Sequence, residues 1–231
     1  MARRQTSETG VVPMAAPTLK DVQQRLDPHF LDVLGGFACQ DDVDLPKGTR
    51  SLLLIGPKEP GFWAHLHVQQ EWAGPDPIDR WSRRVIGQLA CDLGAKALFP
   101  FGGAPFYPFY KWALRTGMVW ESPIKLLVHA RQGLLVSFRG ALALKEVMDL
   151  PSPLHSPCDG CASPCLTECP VGALSSVAYD LDACHAHLDR PEGTDCMNGG
   201  CAARRACPVS ATYARIPEHS AYHMRQFHRA G

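Results

Sequence analysis

Eight of the ten cysteines lie between Cys158 and Cys207, and nothing else in the chain restricts its fold as much. They form two unequal copies of one pattern. The first reads Cys158-Asp-Gly-Cys161-Ala-Ser-Pro-Cys165-Leu-Thr-Glu-Cys169-Pro170-Val-Gly-Ala-Leu. The second reads Cys196-Met-Asn-Gly-Gly-Cys201-Ala-Ala-Arg-Arg-Ala-Cys207-Pro208-Val-Ser-Ala-Thr, and Cys184 stands between them. Outside the segment only Cys39 and Cys91 remain, which is not how a secreted disulfide scaffold uses cysteine.

Dense cysteines closed by Cys-Pro point to metal–sulfur chemistry. Where two 4Fe-4S clusters share one segment, three closely spaced cysteines grip one cluster and the cysteine before the proline ligates the other. That crossing rule gives Cys158, Cys161, Cys165 and Cys207 to one cluster and Cys169, Cys184, Cys196 and Cys201 to the other, with no thiolate left over. A pair of four-cysteine zinc sites also uses short Cys-x2-Cys spacing. Zinc has no need for the two Cys-Pro-Val-(Gly/Ser)-Ala segments, and these favour iron–sulfur. His185 and His187 follow Cys184 and either hydrogen-bond cluster sulfurs or replace a ligand.

At 231 residues the chain holds one large domain and a small one. Its 23 basic and 23 acidic residues cancel, which argues against a nucleic-acid partner. The start has an arginine pair but no apolar run of signal-peptide length after it, and no stretch of about 18 apolar residues occurs. These features predict no membrane partner and a cytoplasmic location, which suits oxygen-sensitive clusters.

Before the cysteines, residues 1–17 read as disordered. Thr18 to Asp21 reads as a capping box opening a helix through Leu26, and Asp27-Pro28 restarts it until Gly35-Gly36. Residues 50–56 are a continuous apolar run, predicting a strand buried on both faces. Asp76-Pro77 opens a helix with its apolar face at Ile78, Trp81, Val85, Ile86, Leu89 and Leu93, closing at Gly94. Cys91 in that helix and Cys39 read as inert core residues. Residues 97–100 predict a second strand, and residues 124–130 and 133–144 a hairpin. Prolines at 151, 153 and 157 stiffen a linker, and residues 218–229 predict a polar helix.

Several side chains stand out as candidates for binding. Residues 101–112 are rich in glycine and aromatics. They read either as a loop laid against a flat cofactor through Gly102, Gly103, Phe106, Tyr107 and Tyr110, or as an aromatic mini-core. His129 and Arg139 are further candidates. Arg139 lies in an apolar run, where it holds either an acidic group of a ligand or an internal salt bridge. The pairs His65/His67 and His219/His223 have metal-compatible spacing but read as surface histidines. No phosphate loop, dinucleotide fingerprint or hydrolase elbow is present.

From Gly133 the order Gly-x4-Phe-x-Gly-Ala-Leu-Ala-Leu, a proline-containing gap, Cys-x2-Cys-x3-Cys-x3-Cys-Pro-Val-Gly-Ala-Leu and a second Cys-Pro resembles epoxyqueuosine reductases and reductive dehalogenases. The resemblance covers about 75 residues. It departs from the family in the three residues between Cys161 and Cys165 and in the stretched second copy, and it lacks the helical-repeat tail and the secretion signal. It implies an α+β chain: a nitroreductase-like cofactor domain with a mixed sheet over residues 18–150, a two-cluster bacterial ferredoxin-like domain over 151–215, and a C-terminal helix over 216–231. It further implies two 4Fe-4S clusters passing electrons to a cobalamin, or to a flavin as second choice, in an oxidoreductase that processes cobalamin by removing its upper axial ligand. Its partners would be a corrinoid and an electron donor, either a flavoprotein or a ferredoxin. The alternatives are a ferredoxin-type carrier without an organic cofactor and a truncated epoxyqueuosine-type reductase.

Overall fold

Thr18 starts the first regular element of the chain. Its hydroxyl accepts from the backbone N–H of Asp21 at 3.2 Å, and the Asp21 carboxylate accepts from the N–H of Thr18 at 2.8 Å. The capping box therefore forms and opens α1 (Leu19–Leu26). The structure, a computed structural model, describes residues 17–40, 42–104 and 106–229. Except for Pro17, the stretch expected to be disordered lies outside these.

Residues 27–36 do not form the predicted second helix. Pro28 opens only a 3-10 turn, Asp27–His29, and Phe30 at φ 51° turns the chain out of it. Leu31–Ala38 becomes strand β1, antiparallel to β2 (Ser51–Pro57). The register slips between Val33 and Gly35, which marks a β-bulge. A Cβ on Gly36 would lie 2.6 Å from the Leu53 side chain and 2.8 Å from the Leu52 carbonyl oxygen. The glycine pair thus serves close strand contact rather than a helix stop.

β2 is buried at every position, as its apolar run predicts. It is an inner strand of a four-stranded sheet of order β1-β2-β6-β3, with β3 at Lys96–Leu98 and β6 at Gly140–Leu144. All neighbouring pairs are antiparallel, so the sheet is antiparallel, not mixed. Period two sorts its side chains onto two faces. Leu53, Ile55, Leu142 and Leu144 face a core shared with α1, α2 (Phe62–His67) and α3 (Pro77–Asp92). Leu52, Leu54, Ala141 and Ala143 face Phe109, Trp112 and Ala113 of α4 (Phe109–Arg115). All six predicted apolar positions of α3 are buried. Cys39 is buried too, but Cys91 is exposed on the far side of α3, against expectation.

The predicted hairpin is also redistributed. β5 (Leu127–His129) pairs with β4 (Val119–Glu121), whereas β6 pairs with β2 and β3, and only the bridge between His129 and Gly133 joins the two runs. Leu134, Leu135 and Val136 between them are buried without strand partners. Distant arginines satisfy their carbonyls instead: Arg204 Nε donates to Leu134 O at 2.6 Å and Arg215 Nη1 to Leu135 O at 2.8 Å.

Residues 151–156 run without regular structure into the cysteine segment. Short helices follow: α5 (Leu181–Leu188), α6 (Thr194–Gly199), α7 (Ala202–Arg205), α8 (Pro208–Thr212) and α9 (Pro217–Arg229). α9 is not wholly polar, because His219, Ala221 and Met224 are buried. Among the described residues, no helix is long and apolar enough to cross a membrane.

Candidate metal centres

The eight cysteines come to their places by tight local turns. Gly160 at φ 74° and Ser163 at φ 53° wind the chain from Cys158 through Cys161 to a 3-10 turn carrying Cys165. Asp180 caps α5, accepting from the N–H of Ala183 at 2.9 Å, and so places Cys184 in its first turns. Cys196 sits in α6 and Cys201 at the N-cap of α7. Pro208 is the first residue of α8, which leaves Cys207 extended at its entrance.

These turns divide the thiols into two sets of four around two separate cavities. Cys158, Cys161, Cys165 and Cys207 line one of about 300 Å³, together with Val128, Leu134 and Val209. Cys169, Cys184, Cys196 and Cys201 line the other, of about 250 Å³. Burial pushes the thiols of Cys158, Cys165, Cys184, Cys196 and Cys201 up, and thiolates there need positive charge in the cavity. Backbone N–H groups already point at sulfur: Ala173 N donates to Cys169 Sγ at 3.2 Å and Ser163 N to Cys161 Sγ at 3.4 Å. Among the described residues, no three of the His, Cys, Asp and Glu side chains converge to hold a single metal ion.

Side chains that the sequence did not single out complete the 250 Å³ cavity. Tyr179 donates its hydroxyl to Cys184 Sγ at 3.4 Å, and Arg204 and Arg215 line the wall, beside His223 of the pair read as surface histidines. The Arg204-Arg205 pair inside the second cysteine copy was the available signal for the first of these. His187, a sequence candidate, is buried on the same wall with its Nε2 unpartnered. His185 instead faces His228, Nδ1 to Nδ1 at 2.9 Å, and stacks on Phe227.

The two histidine pairs read as surface residues divide. His67 is exposed and stacks on Trp72, and His65 is half-buried beside Phe30. His219 is not a surface residue: it is fully buried, stacked on Trp63 at 4.9 Å. Its Nδ1 lies 3.0 Å from the buried Glu59 carboxylate and its Nε2 lies 3.1 Å from His223 Nε2. Desolvation, with Arg215 and other guanidiniums, holds His223 neutral well below the usual histidine range.

The candidates for an organic cofactor are only partly brought together. Gly102, Gly103, Phe106 and Tyr107 line one recess of about 390 Å³ with Arg83 and Phe101, and Phe106 stands 78% exposed on its rim. Tyr110 is bonded to the Glu121 carboxylate at 2.8 Å, and burial with that carboxylate pushes its phenol up to about 12. His129 is fully buried; its Nε2 donates to Leu34 O at 3.0 Å and its Nδ1 accepts from the N–H of Arg131 and of Gln132, both at 3.2 Å. Arg139 pairs with Asp79 at 3.2 Å, the internal salt bridge, and its guanidinium lies 5.7 Å from the Phe101 ring at the recess.

No protein-family model, curated protein or solved structure matches the chain.

Proposed function

We propose that the chain is a redox protein that passes electrons through two 4Fe-4S clusters to a corrinoid bound by a nitroreductase-like N-terminal domain. Cys158, Cys161, Cys165 and Cys207 hold one cluster, and Cys169, Cys184, Cys196 and Cys201 hold the other in a ferredoxin-like segment. The observation that carries this reading is the division of the eight thiols around two cavities, in the interleaved sets that the crossing rule requires. A zinc ion draws its four sulfurs to about 2.3 Å from one point, whereas these thiols surround cavities large enough for a polyatomic centre.

A bound cluster supplies storage of one electron at a time. The chain does the rest. The thiols lose their protons on loading, N–H groups of the cysteine loops donate to sulfur, and apolar Leu134, Leu174 and Val128 exclude water from the walls. The recess at Gly102 to Tyr107 offers the corrinoid, or a flavin, open backbone and aromatic faces. An external ferredoxin or flavoprotein is the electron source.

Anaerobic reconstitution of the full chain tests the proposal. The expected product is brown, with about eight iron and eight sulfide per chain, and it alters the visible spectrum of hydroxocobalamin on mixing. A colourless protein containing zinc overturns the proposal. Loaded clusters with no response to cobalamin or flavin select a plain electron carrier. That second reading is favoured by the engagement of Tyr110, His129 and Arg139 in internal bonds.

A further inference from the structure

The two cavities differ in charge. Two guanidiniums, Arg204 and Arg215, line the cavity of Cys169, Cys184, Cys196 and Cys201. Both donate to carbonyl oxygens, at Leu134 and Leu135, and among the described residues neither forms an ion pair, although the Arg215 charge is felt by the buried Glu59 carboxylate. Arg215 also keeps a buried Nε without a partner. The charge of Arg204 is felt at the Cys201 sulfur, and His187 adds its unpartnered Nε2 on the same wall. The cavity of Cys158, Cys161, Cys165 and Cys207 has no cationic side chain in its wall, and its one charged residue is Asp159.

Hydrogen bonds to sulfur favour the arginine-lined cavity, where backbone N–H groups of Ala202, Ala203 and Arg204 also point at Cys196 and Cys201. In the first, Tyr179 donates to Cys184 and Ala173 to Cys169. In the second, Ser163 N donates to Cys161 Sγ, while Ser156 Oγ accepts from the N–H of Cys158. Charge adds to that difference in the same direction. Adding an electron makes a cluster more negative, so cations in its wall stabilise the reduced form and an aspartate opposes it.

Resting on the two-cluster reading, we infer that the two centres are unequal and that the centre beside Arg204 and Arg215 has the higher reduction potential. The first electron taken from a reduced ferredoxin or flavoprotein settles there. The centre beside Asp159 is reduced only by a second electron, and it is the stronger reductant of the pair.

The test is a redox titration of the anaerobically reconstituted full chain with dithionite and mediators, followed by electron paramagnetic resonance. Two separate reduction steps are expected. Arg204→Gln should lower the upper step, so that the ratio of reduced to oxidised centre at a fixed potential falls about tenfold, equal to about 59 mV for one electron. The lower step should stay in place. Arg204→Lys should restore most of the shift, because it keeps the charge. Asp159→Asn, in an exposed loop, should raise the lower step alone and does not depend on the Arg204 variant folding. Iron-loaded protein whose centres titrate together, or a Gln variant that moves only the lower step, overturns the inference while leaving the two clusters standing. Protein without iron overturns the parent reading, and this inference falls with it.

Discussion

Gly133 is one point at which the chain before the cysteines touches the segment that carries Cys207, and Gly133→Ala measures how firmly the two are joined there. The residue has φ 56°, and an added Cβ would lie 2.4 Å from Ser210 N and 2.6 Å from Ser210 Oγ. Three costs follow. A left-handed alanine costs about 1 kcal/mol, overlap with the backbone of α8 about 1–3 kcal/mol, and loss of the 2.9 Å bond from Leu134 N to Ser210 Oγ about 1 kcal/mol. Because these overlap, the expected total is about 3–4 kcal/mol, or a midpoint lower by about 10 °C in thermal unfolding followed by circular dichroism. Gly94→Ala is the control. Gly94 has φ 63° with nothing within 4 Å of its Cβ position, so it carries only the left-handed strain, about 1 kcal/mol. If the two variants unfold within about 0.5 kcal/mol of each other, Ser210 yields freely and the rigid seam does not exist.

Two further outcomes follow from buried charge. Burial, followed by the nearby Arg131, lowers His129 to about 4 from an ordinary 6.5. Below pH 6.5 the unfolded chain therefore takes up a proton that the folded chain refuses, and stability falls with pH down to about 4, by about 3 kcal/mol in all. Urea midpoints at pH 7 and pH 4.5 should show this loss, and His129→Asn should flatten it; an equal slope in the variant would place the acid sensitivity elsewhere. Asp79→Ala removes the partner of Arg139, whose side chain is 14% exposed, and should cost about 1–2 kcal/mol in the same assay. Adding Arg139→Met should recover most of that loss, and a double variant as weak as the single one would contradict the pairing.

What the sequence disclosed was local. The run at residues 50–56 reads as a buried strand because it is a continuous apolar stretch, and β2 occupies Ser51–Pro57. α3 reads as a helix because its apolar residues recur with period 3.6. The two sets of cysteines are likewise spelled by spacing and by the prolines after Cys169 and Cys207. β1 was hidden because Asp27-Pro28 and Gly35-Gly36 imitate the punctuation of a helix, and only pairing with β2 shows that the glycines serve a bulge and a close strand contact. The burial of His219 was equally invisible, since it depends on Trp63 and Glu59, the latter 160 positions away.

The arginines explain why the run after Gly133 defeats a hairpin reading and why the cysteine segment is not an appendage. A buried carbonyl without a partner is costly, so an apolar stretch usually buys its burial with strand neighbours. Leu134 and Leu135 have Arg204 and Arg215 instead, and both arginines line the cavity of Cys169, Cys184, Cys196 and Cys201. On the other side Leu134 packs against Cys165 and Cys207. The short stretch at Leu134 and Leu135 thus forms a wall of one cavity and holds the cations of the other. Cys207 must cross back to the first cysteine copy, and the Ser210 contact at Gly133 is what fixes α8 where that crossing ends. Residues 133–135 therefore tie the two thiol-lined cavities to each other and to the sheet side of the chain.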